Sequence, residues 1–511
     1  MGVAENPKGD GLSSNEFDVI IIGAGLSGIG AAVRLQRDCP GTNFAIIERR
    51  DAIGGTWDLF RYPGIRSDSD MYTLGYDFKP WSSDKAIADG PAIREYVNET
   101  ADEYDVRSHI RFGQKLIAAD WQSETNQWVL SVETSAGNKV YRAGFLFMCS
   151  GYYSYDQGHQ PHFPGRENYT GEWIHPQFWP KDLDYTDKQV VVIGSGATAM
   201  TLVPNMAAKA AKVTMLQRSP TYVISRPSVD ERANWLKKHL PDQLAYKLIR
   251  WHNTLWQQTM YNLTRIMPKV IKRGLLKKVH EEIGDIVDVE KHFTPRYNPW
   301  DQRLCLVPDD DLFEVIKSGK AAVVTEHIER ITETGIMLKT GEHLPADIIV
   351  SATGIELLIL GGATFTVDGE TIEFSEEWTY KGMMCSNIPN MVQTFGYINA
   401  SWTLRADLIA HWVCRVLNHM KEKGYARVTP RMPDSLAESM PKRLWIDDFS
   451  AGYMQRVLPK FPKQGDKHPW VNPQNYRKDR KMFRDDVLED GALVFEAGTT
   501  ASAQVPLRQA G

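Results

Sequence analysis

Two glycine-rich turns of one design carry the clearest chemistry in this chain. Gly23-Ala24-Gly25-Leu26-Ser27-Gly28 follows the apolar run Asp18-Val19-Ile20-Ile21-Ile22, and Gly194-Ser195-Gly196-Ala197-Thr198-Ala199 follows Val190-Val191-Val192-Ile193. Each turn opens a helical pattern, so the free N–H groups of the helix start face whatever anion lies in front of them. A dinucleotide pyrophosphate is held in this way. About 20 residues beyond each turn the next strand ends in a charge. Glu48 closes Phe44-Ala45-Ile46-Ile47, and Arg218, followed by Ser219, closes Val213-Thr214-Met215-Leu216-Gln217. An acid at that place accepts ribose hydroxyls, and an arginine accommodates a 2′-phosphate. A solvated strand-end acid and a surface arginine are the plain alternatives; the matched offsets favour two dinucleotide sites with different ribose readers.

Two further constellations accompany the turns. In Gly54-Gly55-Thr56-Trp57-Asp58-Leu59-Phe60-Arg61-Tyr62-Pro63-Gly64-Ile65-Arg66-Ser67-Asp68 the glycines allow close backbone approach to a ligand. Trp57 and Tyr62 supply flat walls, and Arg66 and Asp68 set opposite charges at the end of the loop. The plain alternative is a packed surface loop closed by a salt bridge. Tyr169-Thr170-Gly171-Glu172-Trp173-Ile174-His175-Pro176-Gln177-Phe178-Trp179-Pro180 directly precedes the second turn and reads as an interdomain linker. A lone histidine such as His175 is usually structural.

The elements that position these residues follow from hydrophobic period. Residues 17–51 read as strand, turn, helix and strand, and residues up to about 87 as an aromatic-rich loop. A strand pair spans Ile110 to Trp121 and Gln127 to Val132, and a further strand, Phe145–Cys149, ends in Ser150-Gly151. A second copy begins near Lys188 and regains its sheet at Ile348–Ala352, which ends in Thr353-Gly354. Cys149-Ser150-Gly151 and Ala352-Thr353-Gly354 are thus paired strand ends. The fold class expected is α/β, with two Rossmann-like dinucleotide-binding domains and a helical insertion in the second. The first domain is expected at 16–160, and the second at 161–345 with the insertion at about 222–300. Residues 346–511 should return to the second sheet and then, after about 385, to the first domain and a C-terminal tail. Residues 1 to about 15 read as a polar leader.

Composition narrows the class of function. The chain has 511 residues and a net charge of −5, which does not favour nucleic acid. Its five cysteines are scattered and lack a Cys-x-x-Cys, which argues against a disulfide framework and against a disulfide-reductase dithiol. A reducing, cytoplasmic location is expected. The stretch near 230–280 is basic, with Trp235, Trp251, Trp256 and Leu255 interleaved. Two readings exist: a surface helix in weak contact with anionic lipid, and a helical cap whose aromatics pack inward. The second is favoured.

These motifs together resemble the class B flavoprotein monooxygenases of the Baeyer–Villiger type. That family's fingerprint, Phe-x-Gly-x-x-x-His-x-x-x-Trp-Pro, is met by Gly171, His175, Trp179 and Pro180, with Tyr169 in place of phenylalanine. Its Gly-Gly-x-Trp motif with a later aromatic-Pro-Gly and Asp is met by residues 54–68. Related N- and S-oxygenating flavin enzymes usually lack the Trp-Pro ending. The resemblance extends through residues 58–71, 297–305 and 399–403.

The resemblance implies an NADPH- and O2-dependent FAD enzyme that turns ketones into esters or lactones by way of a flavin peroxide, and that also oxidises sulfides. An N- or S-oxygenating enzyme without ketone insertion is the rival, and a non-enzymatic NADP sensor a more distant one. Gly23, Gly25, Ser27, Gly28 and Glu48 would hold FAD. Thr56, Trp57, Asp58 and Leu59 would line the flavin, and the Leu116 backbone would meet the adenine. Ser195, Gly196, Ala197, Thr198, Ala199, Met200 and Thr201, with Arg218 and Ser219, would hold NADP(H). Arg66 and Asp68 would face the nicotinamide. Arg303 matches the family's active-site arginine, oriented by Asp68. No metal is expected. The substrate pocket is expected from Trp402, the 380–402 segment and the helical insertion; oligomeric state is not legible.

Overall fold

Each glycine turn follows a strand flanked on both sides by parallel neighbours. The computed structural model describes residues 15–498. The expected leader, Asn15 apart, and the end of the expected tail lie outside the described residues. In the first sheet, Glu16–Ile22 runs parallel between Phe44–Ile47 and Gly137–Met148, with Ile21 opposite both Ile46 and Phe147. In the second, Gln189–Ile193 runs parallel between Lys212–Gln217 and Ile348–Ser351, with Val192 opposite Met215 and Val350. Ala321–Thr325 and Glu172–Ile174 complete the second sheet at its edges. Both central strands are covered on both faces: Val19, Ile20 and Ile21 are fully buried, as is Val192. Unbroken β-branched runs are what such strands require.

The first sheet grows an antiparallel wing. Gln114–Gln122, Gln127–Thr134 and Gly137–Met148 pair in succession. The single strand expected from Ile110 to Trp121 is in fact two. Ile110–Arg111 pairs parallel with Phe44–Ile47, and Gly113, at φ +62°, turns the chain before Gln114. The return to the first sheet also comes earlier than residue 385. Thr364–Val367 already pairs with Gln114–Gln122, and Met391–Gln393 then pairs with Gly137–Met148. Helix Trp402–Lys423 lies against helix Leu26–Asp38, where Arg34 Nη2 meets Asp407 Oδ1 at 2.8 Å.

The helical insertion is narrower than 222–300. Val223–Arg226 is a strand that pairs parallel with Cys305–Pro308. Helices Glu231–His239, Asp242–Ile266, Pro268–Ile283 and Val289–Phe293 fill the span between them. Pro241 and Pro268 stand at helix starts, where proline needs no donor partner. No helix among the described residues is long and apolar enough to cross a membrane.

A candidate active site between the two glycine turns

The two turns are built alike down to their neighbours. Gly23 has φ +104°, and a Cβ there would lie 2.6 Å from the Cys149 carbonyl oxygen. Gly194 has φ +136°, and a Cβ there would lie 2.4 Å from that of Ala352. Each turn is therefore pressed onto the paired strand end that the sequence motifs pick out. A Cβ on Gly28 would come within 1.8 Å of the Gly23 oxygen, so Gly28 lets the helix close on its own turn. Neither helix, Leu26–Asp38 nor Ala197–Ala207, has a side-chain cap at its start, which leaves N–H donors for an anion.

A cleft of about 910 Å³ joins the two turns. Of the residues expected at the site, Gly23, Gly25, Ser27, Glu48, Thr56, Trp57, Arg66 and Asp68 line it from the first domain. Ser195, Gly196, Ala197, Thr198, Thr201, Arg218, Ser219 and Arg303 line it from the second. The loop after Gly54 bridges the halves: Gly55 packs on Gly25, and a Cβ on Gly64 would lie 2.0 Å from Asn205 Nδ2 on the helix of the second turn.

Six expected residues do not line the cleft. Gly28 acts through packing. Asp58 is buried behind the loop, held by Arg50 at 2.6 Å, Arg94 at 3.4 Å and Arg61. Burial alone would raise its pKa, but these guanidinium partners outweigh burial and hold it below the usual carboxylate value. Leu59 packs with Phe60 and Ile65. Leu116 is buried in the core of the antiparallel wing. Ala199 and Met200 face the core of the second domain. These two follow the buried side of their helix, which the turn motif alone does not reveal.

The charges at the end of the loop do not pair with one another. Arg66 Nη1 bonds to Asp311, and its Nη2 is buried with no hydrogen-bond partner. Asp68 Oδ2 accepts from Arg303 Nε at 3.1 Å and forms an ion pair with its Nη2 at 3.0 Å. The Arg303 side chain keeps 41% of its surface open to the cleft. Burial would lower its pKa; the Asp68 charge and the phenols of Tyr453, Tyr152 and Tyr153 overcome that and hold it above the ordinary arginine value. The segment carrying Arg303 is pinned from three sides. Thr221 Oγ1 reaches the Arg303 carbonyl at 3.3 Å, Arg265 reaches Asp301 at 2.8 Å, and the Ser450 N–H donates to the Asp301 carbonyl at 2.8 Å.

The two strand-end charges, Glu48 and Arg218, differ in their surroundings. Glu48 is buried, and its two oxygens accept from the N–H groups of Ala24 at 2.7 Å and Arg50 at 2.8 Å. Burial pushes its pKa up against those donors. Arg218 is exposed and makes no hydrogen bond or ion pair among the described residues. An unengaged guanidinium, the orphaned Arg66 donor and uncapped glycine turns all fit two phosphate-bearing dinucleotides. FAD and NADP(H) both satisfy that chemistry.

His175 is structural. Its Nδ1 accepts from the Gln177 N–H at 3.2 Å, so Nε2 is the donor to the Gly354 carbonyl at 3.1 Å. It ties the linker strand Glu172–Ile174 to the second paired strand end, and its ring sits where a Cβ on Gly158 would be. Several residues that face the cleft were not legible beforehand. Tyr152 and Tyr153 directly follow the Cys149-Ser150-Gly151 strand end, which was the available signal; their hydroxyls lie 3.2 Å apart. Tyr453 also lines the cleft, and Asp311, the partner of Arg66, had no local signal. Trp402 lines the cleft as expected, stacked on Tyr152 with its Nε1 donating to Ser27 Oγ at 2.8 Å. From the 380–402 segment, Tyr397 and Ala400 join it. Of the expected insertion at about 222–300, Tyr297 lines the cleft, while the helices between 231 and 283 contribute no lining residue, because their inward face is spent on the loop after Asp68.

The chain matches the flavin-binding monooxygenase-like family model over residues 76–432, and an NAD(P)-binding Rossmann-like domain model over 21–82. It is 50% identical over 483 residues to the FAD-containing monooxygenase EthA of Mycolicibacterium smegmatis, covering 94% of this chain and 97% of the relative. It is 49% identical over 485 residues to the probable FAD-binding monooxygenase AlmA of Acinetobacter baylyi, with the same two coverages. Among solved structures it shares its fold with an oxidized steroid monooxygenase bound to NADP. The TM-score is 0.76 at 21% identity, covering 94% of this chain and 100% of that one. A cyclohexanone monooxygenase from Rhodococcus sp. Phi1 bound to NADP+ gives a TM-score of 0.73 at 20% identity, covering 95% and 100%.

Proposed function

The chain belongs to the flavin-binding monooxygenase-like family, and on that premise we propose that it is an FAD- and NADPH-dependent Baeyer–Villiger monooxygenase. It inserts one oxygen atom of O2 beside the carbonyl of a ketone to give an ester or lactone, and it also oxidises sulfides. The observation that carries this reading is the Arg303–Asp68 pair in the cleft between the two glycine turns.

Bound FAD, reduced by NADPH, supplies the activation of O2. Gly23, Gly25, Ser27 and Glu48 would hold it in the first domain, and Thr56 and Trp57 would line the flavin. The second turn from Ser195 to Thr201 binds the NADP pyrophosphate, and Arg218 and Ser219 bind the 2′-phosphate. Arg66, whose Nη2 is unpartnered, would meet the nicotinamide end. Ketone insertion needs an oxygen nucleophile kept anionic in a dry site. Arg303 supplies the fixed positive charge, because a guanidinium stays protonated at any working pH. Asp68 aims that charge with one oxygen and leaves Oδ1 for the nicotinamide carboxamide. Tyr152, Tyr153 and Trp402 wall the cleft with aromatic surface. The rival, amine or sulfide oxygenation alone, needs no such cation.

A panel of ketones tests the proposal, with NADPH consumption and product mass measured together. Esters or lactones formed in step with NADPH support it. Recovered ketone alongside oxidised amine or sulfide favours the rival.

A further inference from the structure

The helical insertion turns a greasy, basic face to solvent. Nine of the fourteen exposed large hydrophobic residues among the described residues fall between 235 and 270. Trp235 is 58% exposed, Trp251 65% and Ile266 74%. The favoured expectation, aromatics packed inward, is therefore overturned for Trp235 and Trp251, and Leu255 is exposed with them. Trp256 is only partly covered, by Arg226 at 4.3 Å from its ring centroid.

The exposure is ordered. At 100° per residue, Leu244, Leu248, Trp251, Leu255 and Ile266 all fall within a sector of about 60° on helix Asp242–Ile266. By the helical rise of 1.5 Å the stripe is about 33 Å long. Met267 and Val270 continue it around the corner into helix Pro268–Ile283. Trp235 lies alongside: Arg232, one turn earlier on helix Glu231–His239, reaches Asn253 at 2.8 Å. An ordinary surface helix gives its outer stripe to charged and polar residues.

The other side of the same helix is fully engaged. The Tyr246 hydroxyl donates to the Tyr76 carbonyl at 2.8 Å, and Arg250 Nη1 reaches the carbonyls of Tyr72 and Gly75 at 2.8 Å each. Asn253 and Gln257 bond Asp70 at 3.1 and 2.8 Å. The helix is thus held in its present rotation, and the apolar stripe must find its partner outside the fold.

Charge selects the partner. Residues 231–280 carry eleven lysines and arginines against two acids, in a chain of net charge −5. Lys238, Lys247, Lys269 and Arg273 are exposed and make no ion pair or hydrogen bond among the described residues. Each lies within four residues of an exposed apolar side chain. Unpaired cations flanking a Trp/Leu stripe are the pattern of a helix lying in the plane of an anionic lipid surface. A second copy placed symmetrically on this face would set the same cations against each other.

We propose that this face, from Trp235 to Arg273, docks the enzyme on an anionic lipid bilayer. The stripe enters the headgroup boundary, and the four free cations meet lipid phosphates.

Flotation of the holoenzyme tests this, with vesicles of phosphatidylcholine alone and of phosphatidylcholine mixed with phosphatidylglycerol. The enzyme should float with the anionic vesicles and be released by high salt. Changing Lys238, Lys247, Lys269 and Arg273 together to Gln should lower partitioning at least about tenfold. The double variant Leu248→Ser/Trp251→Ser should lose it as well. Bound flavin and melting temperature verify that both variants fold. No flotation of the wild type, equal flotation with neutral vesicles, or flotation unchanged in both variants overturns the proposal. A dimer in sedimentation velocity that Trp251→Ser dissociates, with no flotation, would assign the face to a second copy instead.

Discussion

Arg303 and Asp68 meet through a single carboxylate oxygen: Nε and Nη2 of the arginine both reach Oδ2, at 3.1 and 3.0 Å. Nη1 of Arg303 and Oδ1 of Asp68 take no hydrogen bond among the described residues. The pair is therefore an oriented cation with a donor and an acceptor in reserve, in the cleft where the two domains face each other.

Asp68→Ala removes the group that aims Arg303. NADPH should still bleach the flavin under anaerobic conditions, while ester formation falls about 10²–10³-fold, as for the loss of one preorganised electrostatic contact. Stopped-flow absorbance and product analysis separate the two steps. An unchanged ester yield would remove Asp68 from the mechanism.

Arg218 is exposed and unpaired at the end of the strand that follows the second turn. Arg218→Ala should lower kcat/KM for NADPH by about 10²-fold, the scale of a lost charge-assisted pair of bonds to phosphate. The value for NADH should change little. Equal loss with both coenzymes would assign Arg218 a structural role.

Gly23→Ala places a methyl group 2.6 Å from the Cys149 oxygen at a residue with φ +104°. Overpacking costs about 1–3 kcal/mol, and the backbone strain adds to it. The purified variant should carry less flavin per protein and melt at a lower temperature. A full flavin complement would show that the turn can shift.

His175 links folding to pH. Burial, opposed by the Gly354 carbonyl, depresses its pKa below the ordinary 6.5. The unfolded chain then takes up the proton first as pH falls. The stabilisation is complete above the unfolded value and is lost as pH drops through it towards the folded value. Between roughly pH 7 and 5 the wild type should lose stability more steeply than His175→Gln, as read from denaturant midpoints. Parallel slopes would show that His175 does not titrate in this range.

Both glycine turns, their strands and the charges that close those strands were legible, because local backbone geometry demands those residue types at those offsets. Arg303 was legible only through family resemblance: its role depends on Asp68, a residue far away in the chain, and nothing in its own neighbourhood marks it. Asp311 escaped for the same reason. The Asp58 side chain was expected at the ligand, but three arginines claim it; the Leu116 side chain is buried in the antiparallel wing, and the expectation there concerned its backbone. The insertion misled because its period shows an amphipathic helix without showing which side is claimed. Tyr246, Arg250, Asn253 and Gln257 claim the polar-bonding side, and that decision is tertiary.

The central claim is that Arg303 is needed for oxygen insertion and not for flavin reduction. Arg303→Ala, mixed with NADPH first without oxygen and then with O2 and a ketone, tests it most directly. The flavin should bleach at a rate close to wild type, and on reoxidation the ketone should be recovered intact while hydrogen peroxide accumulates. Ester formed at the wild-type yield by that variant would contradict the account.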